Sequence, residues 1–180
     1  MVTITVFCGS KLTINNGLKE GIEGFIKELG NDFKFAYGGG SDGIMGIVNS
    51  TCIDNGYYTI GVNCHRWKDE GDEKLNEVYY FDSLVDRQNK LVSIGDGYVV
   101  LPGGVGTIYE ALQCITMNDV KEVNKPVFIL NTNNYFFHFF NMLDWGRKMG
   151  TISKSNEQMN IIVRDTADEL AKEIKNYFKN

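Results

Sequence analysis

The chain has 180 residues, of which 43% are hydrophobic and 23% are charged, and its formal net charge is -5. This length and composition are typical of one globular domain with its own core, so we expect residues 1–180 to fold as a unit. The acidic balance and the lack of a basic stripe argue against nucleic acid as a partner, because contact with a phosphate backbone needs clustered Lys and Arg.

The sequence predicts neither a membrane span nor secretion. No apolar run approaches the roughly 20 residues that a span needs. Residues 1–7 have the pattern of a strand and lack the basic start and cleavage site of a signal peptide. Scattered cysteines without a Cys-x-x-Cys pair are typical of reduced thiols and predict a cytoplasmic protein. The cysteines are Cys8, Cys52, Cys64 and Cys114.

Short apolar runs alternate with helical periodicities along the whole chain. Strands are predicted at residues 2–7, 33–37, 57–62, 77–81, 97–101, 126–130 and 160–163. Helices are predicted at residues 17–29, 44–52, 82–94, 108 to about 117, 135–148 and from a capping box at 166–169 onward. The polar residues 63–76 are predicted to be a solvated loop. This alternation indicates an α/β fold with a mostly parallel central sheet flanked by helices.

One stretch combines a strand, a glycine cluster and the start of a helix. Leu-Pro-Gly-Gly-Val-Gly-Thr-Ile-Tyr-Glu, at residues 101–110, follows a buried strand and precedes a helical run. Glycines let the backbone approach a ligand, and a helix N-terminus offers unpaired N–H groups to an anion. We therefore predict a phosphate site at Gly103, Gly104, Val105, Gly106 and Thr107.

A second glycine cluster, at residues 38–43, matches the Gly-x-Gly-x-x-Gly pattern of dinucleotide sites. An NAD site also needs an acidic residue after the next strand, where this chain has Asn-Cys-His at residues 63–65. Neither cluster continues into Gly-Lys-Ser/Thr, which argues against a triphosphate site. A nucleoside monophosphate or a sugar phosphate fits better, and tight packing alone stays open for this cluster. The predicted substrate-binding residues on this side are Ser10, Gly39, Gly40, Ser41 and Gly43.

Two charged residues are candidates for chemistry. Glu110 ends a Thr-x-x-Glu pattern that begins at Thr107, so it could cap its helix or lie in the site as a carboxylate that the helix dipole keeps ionised. Such a carboxylate could stabilise an oxocarbenium-like centre or orient water. Arg87 lies on the preceding helix, where the pattern alone favours a solvated surface position. His65 beside Cys64 is too small a set to predict a metal site.

These motifs resemble those of the Lonely Guy family of cytokinin-activating phosphoribohydrolases, also described as possible lysine decarboxylases. Residues 102–110 look like its Pro-Gly-Gly-x-Gly-Thr-x-x-Glu signature, and residues 37–46 look like its first glycine loop. Phe-Cys-Gly-Ser at residues 7–10 and the late strand and helix at residues 129–136 extend the resemblance over most of the chain.

The resemblance implies a Rossmann-like three-layer sandwich and a homodimer. It implies hydrolysis of the N-glycosidic bond of an adenosine 5′-monophosphate, often N6-prenylated, to the free base and ribose 5-phosphate. Glu110 falls on the catalytic glutamate of the family, and Arg87 falls on its catalytic arginine, which reverses the surface interpretation of Arg87. Neither a metal nor another cofactor is implied.

The chain also departs from the family pattern. Gln88 stands where the family has a lysine after the arginine, and Lys90, one helical turn beyond Arg87, is the hypothetical replacement for its charge. Tyr109 replaces the first of two glutamates. The alternative function is therefore a carrier or sensor that binds a nucleotide or a phosphorylated cofactor without cleaving it. The aromatic residues 135–140 are predicted to be core or subunit interface.

Overall fold

The computed structural model describes residues 1–11, 16–71 and 74–179. Seven strands form one sheet: β1 (Val2–Phe7), β2 (Phe33–Tyr37), β3 (Thr59–Cys64), β4 (Glu77–Phe81), β5 (Gly97–Val100), β6 (Val127–Leu130) and β7 (Ile161–Arg164). Six α-helices connect and flank them: α1 (Asn16–Leu29), α2 (Gly43–Asp54), α3 (Leu84–Ile94), α4 (Val105–Asp119), α5 (Phe137–Lys148) and α6 (Ala167–Lys179).

The strand order is β4-β3-β2-β1-β5-β6-β7, and every neighbouring pair is parallel. Hydrophobic side chains alternate between the two faces of the inner strands. Val99 packs in a core cluster with α1, α2 and α6, whereas its neighbour Tyr98 packs in a second cluster with α3 and α4. The predicted α/β fold, with a central sheet between two helical layers, is confirmed.

The polar stretch after β3 is more ordered than a solvated loop. β3 continues to Cys64 instead of ending at residue 62, and a 3-10 segment follows at His65–Glu70. Gly71 then pairs with Gly40 in an isolated antiparallel bridge, which ties this segment to the first glycine cluster. Residues 72 and 73 of the predicted loop lie outside the described residues.

The order of the strands reverses between β1 and β5, the two central strands. β1 to β4 extend towards one edge, and β5 to β7 extend towards the other. Ligands of such sheets bind in the crevice outside the carboxyl ends of the strands at this point. The loops after β1 and β5 meet there, where the Gly9 N–H donates to the Pro102 carbonyl at 3.1 Å.

Candidate active site

A cavity of about 980 Å³ opens at this crevice. The loops after β1, β2, β3, β5 and β6 contribute to its wall, together with residues of α3 and α4. Most of the predicted site residues lie on the wall: Ser10, Gly40, Ser41, Arg87, Gly103, Gly104, Val105, Gly106, Thr107 and Glu110.

The glycine motif after β5 forms the start of α4. Gly104 is the N-cap, so Val105, Gly106 and Thr107 begin the helix, and their N–H groups have no intrahelical acceptor. A Cβ on Gly103 would overlap the Thr107 side chain, so packing alone accounts for that glycine. No atom lies within 4 Å of a Cβ placed on Gly104 or Gly106, so packing explains neither of them. This backbone is open to an anion.

Tyr135 supports the same motif from the loop after β6. Its hydroxyl donates to the Gly103 carbonyl at 2.8 Å, and the residue is half-exposed on the cavity wall. Tyr135 is therefore not part of the core, and a subunit interface at residues 135–140 stays a prediction. Among the others, Phe136 is buried, whereas Phe137 is exposed. Helical periodicity did not reveal this role because α5 begins only at Phe137.

Two of the predicted substrate-binding glycines, Gly39 and Gly43, have packing roles in the fold. Gly39 adopts a φ of +76° and sits against Gly61 and the Leu75 side chain. Gly43 adopts a φ of +63°, and a Cβ there would overlap the backbone of Ser10. Neither lies on the cavity wall. A side chain is disfavoured at a positive φ, so both glycines are accounted for without a ligand.

Arg87 is buried, not solvated as its pattern suggested. Its Nε donates to the Val62 carbonyl at 2.9 Å, and its Nη1 donates to Glu110 Oε1 at 2.6 Å. A Cβ on Gly38 would lie 2.8 Å from Arg87 Nη2, so the glycine after β2 makes room for the guanidinium. The arginine is thereby fixed between β2, β3 and α4.

Glu110 lies in the second turn of α4, because the helix begins at Val105 and not near Thr107. The predicted capping box is therefore wrong, and so is the prediction that the helix dipole keeps this carboxylate ionised. Burial is the largest influence and raises the pKa of Glu110, while Arg87 and Gln88 act in the opposite direction. A raised pKa brings a carboxylate closer to the range of a general base at neutral pH.

Gln88 belongs to the same buried group. Its Oε1 accepts from Arg87 Nη1 at 2.6 Å, and its side chain also hydrogen-bonds Glu110. Lys90 does not replace the missing lysine: its ammonium lies over the Tyr79 ring, 4.2 Å from the centroid, and it is not on the cavity wall. An amide thus stands at the position where the resemblance implies a cation.

Further residues lie on the wall, and the sequence did not predict Trp67, Leu84 and Met45 among them. Asn63, Trp67 and Leu84 line the end of the cavity near β3, and Met45 lines it beside the first glycine cluster. Helical or strand periodicity gives no signal for them, since they lie near the ends of elements.

Over the ranges 1–11, 16–71 and 74–179, no three His, Cys, Asp or Glu residues are grouped so that they could hold a metal ion. Within the same ranges, no helix has both the length and the apolar composition of a membrane span.

Solved structures with this fold include the Moco carrier protein of Chlamydomonas reinhardtii. It aligns with a TM-score of 0.72 at 20% identity, over 99% of this chain and 98% of that one. The molybdenum cofactor binding protein of Rippkaea orientalis aligns with a TM-score of 0.66 at 18% identity, over 98% and 97% of the two chains. At these identities the likeness shows the fold alone.

Sequence comparison is more specific. The family profile described as possible lysine decarboxylase matches residues 45–174. The cytokinin riboside 5′-monophosphate phosphoribohydrolase LOG4 of Arabidopsis thaliana is 33% identical over 97% of this chain and 82% of its own length. A probable enzyme of the same description from Oryza sativa subsp. japonica is 31% identical over 93% and 74%. The chain therefore belongs to the Lonely Guy family, whose profile carries the description possible lysine decarboxylase.

Proposed function

We propose that this protein hydrolyses the N-glycosidic bond of a purine nucleoside 5′-monophosphate. The observation that carries the proposal is the buried Arg87–Glu110 pair, which reaches the cavity wall beside the open N-terminus of α4. A phosphate on that N-terminus would leave the rest of the nucleotide in the cavity with these two side chains. A buried arginine and carboxylate at a ligand cavity are typical of catalytic sites. Removing charges from water costs free energy, so buried charged groups are found mostly where function requires them.

The 5′-phosphate binds the N–H groups of residues 104–107 in this proposal. These groups carry the positive end of the α4 dipole, and Thr107 lies on the same wall. Tyr135 holds the Gly103 carbonyl and so fixes the loop that presents the N–H groups. The phosphate is remote from the bond that breaks, so this binding energy orients the substrate.

Bond cleavage then depends on the charged pair. The C1′–N9 bond breaks with its electron pair going to the purine, and positive charge develops on the ribosyl centre. The Glu110 carboxylate stabilises that charge and accepts a proton from the water whose oxygen bonds to C1′. Arg87 offsets the negative charge on the departing base, and solvent supplies the proton that the purine nitrogen gains. No second carboxyl is required, in contrast to most O-glycosidases.

The finer substrate assignment is an N6-substituted adenosine 5′-monophosphate, with an active cytokinin as the product. Its support is the activity of the relatives, which are cytokinin riboside 5′-monophosphate phosphoribohydrolases at about one-third identity. The cavity volume of about 980 Å³ leaves room for a substituent on the base.

The test is chromatographic detection of free base. The purified protein is incubated with adenosine 5′-monophosphate and, separately, with its N6-isopentenyl form. We expect adenine or isopentenyladenine to be released together with ribose 5-phosphate, and the ratio of the two rates gives the preference for cytokinin precursors. If neither base appears while calorimetry still detects nucleotide binding, hydrolysis is refuted.

A carrier or sensor of a nucleotide or phosphorylated cofactor is the second candidate. Gln88 is the observation that favours it, because its amide replaces a cation beside Glu110 and the carboxylate is already paired with Arg87. The solved relatives described as Moco carriers share the fold. Binding without turnover in the same assay would support this function.

We further propose that the protein is a homodimer in the cytoplasm. Exposed apolar side chains on the α3–α5 side of the sheet suit a subunit interface: Val85, Tyr109, Val120, Phe137 and Trp145. Light scattering at micromolar concentration is expected to give twice the chain mass of 20.3 kDa.

A further inference from the structure

We propose that the purine base of the substrate stacks on Trp67, an inference that rests on the proposed function. This contact makes the site bind nucleotides more tightly than ribose 5-phosphate. Trp67 lies on the cavity wall and 36% of its surface is exposed. A large exposed aromatic ring on the wall of a nucleotide site is a platform for a base, because every base has a flat π face.

The sheet topology gives the direction of the nucleotide. The phosphate-binding loop follows β5, whereas Trp67 follows β3, which is three strand positions away, on the order of 14 Å. The Arg87–Glu110 pair lies between them, since Arg87 contacts β3 and Gly38 while Glu110 projects from α4. A nucleotide with its phosphate at β5 and its glycosidic bond at this pair therefore directs its base towards Trp67.

The segment that carries Trp67 is anchored at three points. The Asn63 Nδ2 donates to the Trp67 carbonyl at 3.3 Å, and His65 stacks on Tyr80 with ring centroids 5.6 Å apart. Gly71 bridges to Gly40, beside the ribose end of the cavity. The backbone that carries the indole is thus held by the fold before any ligand binds, which lowers the entropy cost of stacking.

The chemistry around the indole suits an uncharged flat base. The guanidinium of Arg66 lies 4.4 Å from the indole centroid, so a cation already covers one face of the ring. Leu84 and Met45 add apolar side chains to the wall of the same cavity, and Asn63 is buried. Ribose 5-phosphate has no group that would use this surface, whereas a purine would lose exposed apolar area on it.

Fluorescence separates this inference from the proposed function, because the chain has only two tryptophans. Trp145 lies on α5, is exposed and is not on the cavity wall. In Trp145→Phe, which keeps Trp67, adenosine 5′-monophosphate is expected to quench the emission and ribose 5-phosphate is not. In Trp67→Phe, which keeps Trp145, neither ligand is expected to quench.

Calorimetry gives the second measurement, in a Glu110→Gln background so that nucleotide is not consumed. Trp67→Ala is expected to weaken the binding of adenosine 5′-monophosphate about thirty-fold, the middle of the range for loss of one stacked base, and to leave the binding of ribose 5-phosphate unchanged. Trp67→Phe is expected to restore most of the affinity.

If Trp67→Ala weakened the binding of both ligands equally, or left the nucleotide affinity unchanged, the inference would be overturned. Unquenched Trp67 emission at saturating nucleotide would overturn it as well. Absence of base release by the intact chain would instead overturn the hydrolase and leave the stacking result standing.

Discussion

The Arg87 guanidinium on α3 meets the Glu110 carboxylate on α4 at 2.6 Å, and each side chain is only 10% exposed. Packing alone would not require charged side chains at this depth, and both residues lie on the wall of the cavity. The relationship also means that each residue holds the other in place. Changes to either are expected to affect both geometry and chemistry.

Glu110→Gln is expected to abolish most turnover while retaining nucleotide binding. The amide keeps the shape of the carboxylate but can neither stabilise the cationic ribosyl centre nor accept a proton from water, so kcat should fall by about 10²-fold or more. Chromatography of the released base measures turnover, and calorimetry measures the affinity for the nucleotide. Glu20→Gln, an exposed carboxylate on α1, is the matched control and should leave kcat unchanged. Undiminished turnover in Glu110→Gln would remove Glu110 from the mechanism.

The acid limb of the pH profile is expected to respond to Gln88 in two opposite directions. Burial raises the pKa of Glu110, and activity that needs the ionised carboxylate is lost as pH falls through that raised value. Gln88→Lys adds a cation that favours the ionised form, so the acid limb of kcat/KM should move to lower pH. Gln88→Met removes a hydrogen bond that favours the same form, so the limb should move to higher pH.

Profiles of kcat/KM against pH for the two variants check this prediction. Shifts of the same sign in Gln88→Lys and Gln88→Met would mean that Gln88 acts through packing alone and not through the ionisation of Glu110.

The same Thr-x-x-Glu pattern has two outcomes in this chain, which shows what local sequence can predict. At residues 166–169 Thr166 caps the helix as predicted, because its Oγ1 accepts from the Glu169 N–H at 3.3 Å. The Glu169 Oε2 accepts from the Thr166 hydroxyl at 2.8 Å, and not from the backbone N–H that a full capping box would use. At residues 107–110 the glycines upstream start the helix earlier, so Thr107 packs against Gly103 and Glu110 enters the second turn.

The parallel sheet and the phosphate loop could be predicted because they depend on periodicity and on glycines at fixed spacing. The burial of Arg87 could not, because it depends on Gly38 and Val62, which are distant in sequence and meet only across the sheet. Tyr135 and Trp67 were missed for the same reason, since each reaches the cavity from a segment that precedes or interrupts regular structure.

Tyr135→Phe is expected to raise KM several-fold with little change in kcat. The hydroxyl donates to the Gly103 carbonyl and orders the loop that binds the phosphate, and a single hydrogen bond of this kind contributes about 1 kcal/mol or less at an exposed site. Steady-state kinetics with adenosine 5′-monophosphate measure both constants. Tyr177→Phe removes a hydroxyl whose partner is Asn160, remote from the cavity, and should change neither. A loss confined to kcat would contradict a role in phosphate binding.

Gly106→Ala is expected to make the protein more stable and less active. Gly106 is the second residue of α4, its φ is not positive, and no atom lies within 4 Å of an added Cβ, so alanine should raise the free energy of unfolding by up to about 1 kcal/mol. The methyl group would crowd the N–H groups of the proposed phosphate site, so KM for the nucleotide should rise. Thermal unfolding and steady-state kinetics measure the two effects separately.

Two other glycines provide the controls for that variant. Gly24→Ala, in the interior of α1 with no atom within 4 Å of its Cβ, should give a similar gain in stability and an unchanged KM. Gly103→Ala should lower stability, because its Cβ would overlap Thr107 and lie 2.8 Å from the Gly9 nitrogen. If Gly106→Ala were as active as Gly24→Ala, the N-terminus of α4 would not be the phosphate site, and the glycine at that position would need another explanation.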